Sequence, residues 1–383
     1  MAVWKKLNPE TGAYEEIPNT RAGGSAVKAT PLAYNFSAYT DMLTKNSGVT
    51  TKAEFISESA FGDKMYCGGI CANNKVYFAP NTADSVMVYD TVNDSLYFIG
   101  SGLGNFAFKY TGMVAYKGYL YCIPRGVNNM VRIDPVTDDV ATIGLSTNYP
   151  VRPYGDYRDS HHYNGCISDD GYLYSPPAYS STKLLKINME DFTHAEIDFT
   201  CSHSTTWTGC VNIPGNKIVF LGNKGFRVWD CSTDSVIADV DAGGSLGIYD
   251  MVLDPRDNCL YAYGSNKFVK LSLTDYAYTN MGWVNYLDNT YGTVLGIDGL
   301  CYTIGGNGRI YGMNKDSFSA MATKALTDCV TDGMTVCSAG MVLANDGSIY
   351  SVPGNGRLIR VSFDGAKGRL PDYIVTGRYY GKY

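Results

Sequence analysis

The sequence predicts an all-β chain of seven four-stranded antiparallel units, preceded by a short N-terminal extension. Three observations point there. Tyr (32) and Gly (42) are unusually frequent among the 383 residues, and Tyr favours strands while Gly favours the turns between them. A tight-turn pair recurs at one place in every unit. The copies are spaced by about 40–50 residues. Stretches of Ala, Leu, Glu and Lys at helical spacing are absent.

The turn pairs are NN in CANNKVYFAP, KG in VAYKGYLYCIP, DG in ISDDGYLYSPP and GN in NIPGNKIVFLG. They continue as DN in DPRDNCLYAYG and as DG in GIDGLCYTIGG and ANDGSIYSVPG. Several are the pairs that two-residue hairpin loops prefer, because such loops need positive φ. After each hairpin comes a Gly/Asn/Ser-rich turn and an alternating third strand: SVMVYD, MVRID, KLLKIN, FRVWD, FVKLS, RIYGMN and RLIRVSFD. In six units a polar turn and a fourth strand-like run follow, as in SLYFIG and DVATIG.

The second strands lie near Tyr77, Tyr121, Tyr174, Val219, Tyr261, Tyr302 and Tyr350, with spacings of 44, 53, 45, 42, 41 and 48. Four strands at this period are the signature of β-propeller blades. Over roughly residues 64–376 the sequence resembles seven-bladed propellers of the kelch and quinoprotein-like kind. The resemblance is architectural, since neither the kelch double glycine nor a Trp-Asp blade signature repeats. It implies a closed ring. A lone blade is apolar on both faces and must be covered by two neighbours. Blade seven lacks an outer strand of its own. DYIVTG (372–377) or KAEFIS (52–57) can supply it, and the expectation is the C-terminal segment.

An aromatic residue two places before a glycine opens four blades: Tyr66 before Gly68, Tyr110 before Gly112, Tyr163 before Gly165 and Trp207 before Gly209. Met113, Cys166, Cys210, Met251 and Met341 follow as small or pliable core fillers. The aromatic column has two readings. In one the rings pack between blades and are buried. In the other they rim the central tunnel, partly open, and offer their faces to sugar rings.

The longest connection between blades is STNYPVRPYGDYRDSHHYNG (146–165), with Arg152, Asp156, Arg158, Asp159, His161 and His162. Long loops at the start of an inner strand are common places for function. The competing reading is a solvated loop whose Arg–Asp pairs contribute little. CSHSTTWTG (201–209) is the matching connection of blade four and carries His203. The expected ligand-binding set is Tyr66, Tyr110, Tyr163, Trp207, Arg158, His161, His162 and His203. No Ser-His-Asp order, paired-carboxylate spacing or zinc motif stands out, so the expectation is no catalytic residue, no metal and no cofactor.

The net charge of −6 is mild and no basic block occurs, which argues against nucleic acid and anionic membrane as partners. No segment approaches the roughly 20 apolar residues of a membrane span, and the N-terminus lacks the apolar run of a secretory signal. Eleven cysteines without a CxxC pair suit free thiols in a reducing cytosol.

Residues 1–63 fall outside the repeat, and the propeller is expected over 64–383. AVWKKLNPETGAYEEIPN reads as a short hairpin, and TRAGGSAVKATP (20–31) has linker composition. LAYNFSAYTDMLTKN (32–46) fits one amphipathic helix. The first 18 residues look similar to the opening segments of bacteriophage fibre and adsorption proteins. That resemblance implies a virion component, attached to other virion proteins through residues 1–31 and made in the cytoplasm. The expected function is a non-enzymatic binding protein recognising host-surface glycan. The alternatives are a polysaccharide lyase or hydrolase using the histidine loops, and an intracellular interaction scaffold.

Overall fold

A computed structural model describes residues 5–7, 14–16, 50–56, 66–105, 108–145, 162, 164–178, 181–204, 206–254, 256–264, 267–283, 290–305, 310–315, 324–326, 340–352 and 357–364. Among them every regular element is a strand, and no helix occurs. Strands β1 (Lys5–Leu7) and β2 (Tyr14–Glu16) form the expected N-terminal hairpin, with Lys5 opposite Glu16. Strand β3 (Thr50–Phe55) stands before the first blade in sequence.

Blade one is β4 (Tyr66–Ala72), β5 (Lys75–Pro80), β6 (Val86–Asp90) and β7 (Ser95–Ile99). Blade two is β8 (Tyr110–Tyr116), β9 (Tyr119–Pro124), β10 (Asn129–Ile133) and β11 (Val140–Gly144). Blade three is β12 (Cys166–Ile167), β13 (Tyr172–Ser175), β14 (Lys183–Asn188) and β15 (His194–Asp198). Blade four is β16 (Trp207–Ile213), β17 (Lys217–Gly222), β18 (Gly225–Asp230) and β19 (Ser235–Asp241). Blade five is β20 (Ile248–Asp254), β21 (Cys259–Gly264), β22 (Lys267–Ser272) and β23 (Tyr278–Trp283). Blade six is β24 (Thr290–Leu295), β25 (Cys301–Gly305), β26 (Ile310–Met313) and β27 (Lys324–Leu326). The last three described strands, β28 (Met341–Leu343), β29 (Ile349–Ser351) and β30 (Ile359–Asp364), belong to blade seven.

The fourth strand of blade seven is β3. It runs antiparallel to β30 with Thr50 opposite Asp364 and Phe55 opposite Ile359. This corrects the expectation for the closing strand: the N-terminal candidate supplies it, and the ring begins at Thr50 rather than residue 64. Segment 372–377 and the helix expected over 32–46 lie outside the described residues. The inner strands β4, β8, β12, β16, β20, β24 and β28 each lie against the next, and β28 returns to β4. Apolar cores fill every seam, including that between blades seven and one, where Val342 and Tyr350 pack with Cys71 and Tyr89.

The two ends of the ring are built differently. At one end, here the turn face, all seven predicted turn pairs contain a positive φ: Asn73 and Asn74, Lys117 and Gly118, Gly171, Gly215 and Asn216, Asn258, Gly299 and Gly347. Third strands stop there on Asp90, Asn188, Asp230 or Ser272, or just before Asp134, and these side chains accept the amide two residues on. That local bond competes with strand continuation and starts the turn.

The same face is latched by second-strand tyrosines. Tyr77 donates to Asp138 (2.8 Å) and Tyr174 to Asp234 (2.6 Å), each in the outer turn of the following blade. Tyr302 donates to Asp298 (2.8 Å) and Tyr350 to Asp346 (2.9 Å), in their own hairpins. Burial works against an ionised Asp138, but hydrogen bonds from Lys75, Tyr97 and Tyr77 outweigh it and hold the carboxyl below its ordinary range. Tyr302→Phe strips a buried carboxylate of a donor, and a hydrogen bond to a charged group contributes about 1.5–3 kcal/mol. The expected result is a loss of that size in urea unfolding, with the far-ultraviolet dichroism of the native state unchanged.

Candidate functional site

The opposite end, the loop face, carries the connections between blades and those between second and third strands. The aromatic–x–glycine column begins there, and its local form is a β-bulge. The register of the inner strand shifts between Cys67 and Gly69, Tyr110 and Met113, and Trp207 and Gly209. A bulge inserts one extra residue and re-aims the strand. Gly68 sits at the first of these with φ +33°, and a Cβ there would lie 2.8 Å from the Cα of Gly112. Neighbouring inner strands thus approach backbone to backbone near the axis, which only glycine allows.

The aromatic rings turn into the seams. Tyr66, Tyr110 and Trp207 are 4%, 2% and 1% exposed. Tyr66 stacks near Phe98, at 6.4 Å between centroids, and burial pushes its hydroxyl up to about 12 despite a hydrogen bond with Ser85. The Tyr110 hydroxyl donates to Asn129 (2.6 Å). Trp207 meets Phe199 edge-on at 5.0 Å. This exposure is that of the inter-blade packing alternative, and the three faces are covered by neighbouring side chains. The predicted fillers Met113, Cys166, Cys210, Met251 and Met341 are buried as well.

The polar candidates divide. Arg158, His161 and Tyr163 lie outside the described residues. His162 is fully buried, bridges Pro177 through its backbone, and places Nε2 3.8 Å from Glu196 Oε1. His203 is half-buried in the connection 199–206 of blade four. That connection is pinned at both ends: the Phe199 amide donates to Thr182 O (2.9 Å) and the Trp207 amide to Pro177 O (3.2 Å). Asp198 caps Thr200 (2.7 Å to its hydroxyl), and the Lys224 amide donates to Ser204 Oγ (3.1 Å).

His203 stands with three residues that sequence reasoning passed over. Cys201 Sγ lies 3.3 Å from His203 Nδ1, 3.6 Å from Nε2 and 4.0 Å from Asp239 Oδ1. Asp239 takes a two-pronged bond from Arg227, Nε to Oδ1 at 2.7 Å and Nη2 to Oδ2 at 2.8 Å. Arg227 also donates to Phe199 O (2.9 Å) and Thr200 O (3.1 Å). Its guanidinium sits 4.6 Å from the centroid of Phe199 and 5.5 Å from that of Trp207. A buried guanidinium held this way is fixed in place and fixes the carboxylate in turn. Blade pairing brings the group together, because Arg227 on β18 lies opposite Asp239 on β19.

Elsewhere on the face, the buried Lys109 donates to Ala83 O (2.5 Å) and Gly104 O. Burial brings its ammonium down to about 8, against the pull of Asp84. Asp84 in turn accepts the amides of Gly102 (2.9 Å) and Gly104 (2.6 Å). Lys109 thus pegs the β5–β6 loop of blade one to the connection between blades one and two. All nine described cysteines are free thiols.

Fold and site together define a seven-bladed β-propeller with a face of long connections and a latched turn face. Neither a protein-family model nor a curated protein sequence matches the chain. Solved structures are similar in fold. A streptogramin B lyase aligns with TM-score 0.64 at 13% identity, over 82% of this chain and 98% of that one. A catalytically inactive virginiamycin B lyase from Staphylococcus aureus, solved with quinupristin, aligns with TM-score 0.62 at 11% identity, over 82% and 100%. A chain of the mitotic checkpoint complex aligns with TM-score 0.57 at 12% identity, over 82% and 94%. Identities this low establish the propeller alone, and lyase and checkpoint protein share it without sharing a function.

Proposed function

We propose that the protein is a non-enzymatic binding head which recognises host-surface glycan through its loop face, as a component of a bacteriophage virion. The observation that carries this reading is the inequality of the two faces. Two-residue turns and Tyr–Asp bonds consolidate one end of the ring, whereas the chain spends its longest connections on the other. Loops on a rigid scaffold are where recognition is usually built. The connection 146–165 is rich in Tyr, Arg, Asp and His, side chains that stack on sugar rings and bond their hydroxyl groups. The β1–β2 hairpin and the small, polar stretch after it suit attachment to other virion proteins through residues 1–31.

The test is a glycan array probed with the full chain, followed by product analysis on any bound polysaccharide. The expected result is retention of a restricted set of glycans without cleavage. Arg158→Ala combined with His161→Ala weakens retention and leaves the thermal midpoint in place. Depolymerised product would replace this reading with the lyase or hydrolase alternative. Binding to no glycan, with capture of a single protein, would replace it with the scaffold.

A further inference from the structure

We propose that Cys201, His203 and Asp239 form a transition-metal site of the zinc class on the outer rim of blade four. The site goes beyond glycan recognition and does not depend on it.

The donor set is one sulfur, one imidazole nitrogen and one carboxylate oxygen, and the three ligand atoms lie within 4.8 Å of one another. In a tetrahedral site with Zn–S near 2.3 Å and Zn–N near 2.0–2.1 Å, sulfur and nitrogen stand roughly 3.6 Å apart. Cys201 Sγ lies 3.3 Å from His203 Nδ1, close to that separation; it is nearly as close to Nε2, at 3.6 Å, so the sulfur stands over the ring face and the imidazole turns to aim its lone pair at the ion. The sulfur's 4.0 Å separation from Asp239 Oδ1 is a few tenths beyond the same geometry. Rotation of the half-buried His203 imidazole, with a small shift of the half-buried Cys201 side chain, completes the set.

Arg227 does not compete for the position. Each carboxylate oxygen has two acceptor sites, and the guanidinium fork uses one on each, leaving the others for a metal. Hydrogen bonding of a ligating carboxylate by an outer partner is the usual arrangement. A thiolate and a carboxylate balance the charge of a divalent ion, and the mixed sulfur–nitrogen–oxygen set selects zinc-like metals over calcium or magnesium. The connection 199–206 is pinned at both ends, so little ordering remains to be done on binding. Three protein ligands leave a fourth position for water or an incoming group.

Binding displaces the thiol proton, so affinity rises with pH. The experiment loads the full chain with zinc, removes loose metal over a chelating resin, and measures zinc by mass spectrometry. One zinc per chain is expected. Loss of even an outer partner weakens a metal site on the order of ten- to a hundredfold, so Cys201→Ser and His203→Ala should each lose at least the lower figure. Cobalt loading should show a thiolate-to-cobalt charge-transfer band that Cys201→Ser abolishes. Zinc held equally by wild type and both variants would overturn the assignment. Should a variant fail to fold, the wild-type cobalt spectrum decides alone: no thiolate band, no site.

Discussion

A chain lacking residues 1–56 opens its ring, whereas a chain lacking residues 1–49 keeps it closed. The difference is β3. It adds the outer strand of blade seven through a six-position antiparallel ladder on β30. Its own Ala53 is buried, and Arg360 forks onto its Glu54 with Nε at 3.0 Å and Nη2 at 2.7 Å. Hydrogen bonds from Lys52 and Arg360 hold the Glu54 carboxyl below its ordinary range, so the pair is charged at neutral pH. Without β3, the ladder groups of β30 lose their partners and its edge becomes a template for other chains. A loss on the order of 4 kcal/mol or more is expected in urea unfolding, with association visible by light scattering. Equal midpoints for the two truncated chains would show that another segment closes the ring.

The repeat was legible because its turns are local chemistry. Asn73–Asn74, Lys117–Gly118 and Gly215–Asn216 meet a positive-φ demand that the sequence states directly, and the Tyr column at second strands marks the period. The closing strand was not legible by the same means. KAEFIS and DYIVTG carry similar alternation, and only the ladder of β3 on β30 separates them. The aromatic–x–glycine column could be seen, but its meaning depends on which way a bulge turns the ring, and that is a tertiary fact. The cluster at Cys201 shows the limit best. His203 was visible, yet Asp239 lies 36 residues further on and no spacing rule joins them. Once the outer hairpin of blade four is paired, Arg227 falls opposite Asp239. Applying strand register within the recognised blade was therefore the signal that would have found them.

Trp207→Ala is the single substitution expected to cost most. The indole is 1% exposed and packs with Phe199, itself set against Phe220 at 5.0 Å and Trp229 at 5.5 Å. Removing so large a buried side chain costs about 3–5 kcal/mol, because the lost burial adds to a cavity that its neighbours fill only in part. Here a second loss accompanies it. Arg227 keeps its bond to Asp239 but loses one of the two rings it lies against. Trp207→Phe separates packing from recognition. A phenyl ring fills much of the seam and keeps an aromatic face toward Arg227, so the urea midpoint should fall less than in the alanine variant. If the proposed glycan recognition holds and the indole serves packing alone, Trp207→Phe binds any glycan that the wild type binds. A Trp207→Phe chain that unfolds at the wild-type midpoint yet loses a glycan that the wild type binds would put the indole in contact with ligand, in a loop-face conformation more open than this one.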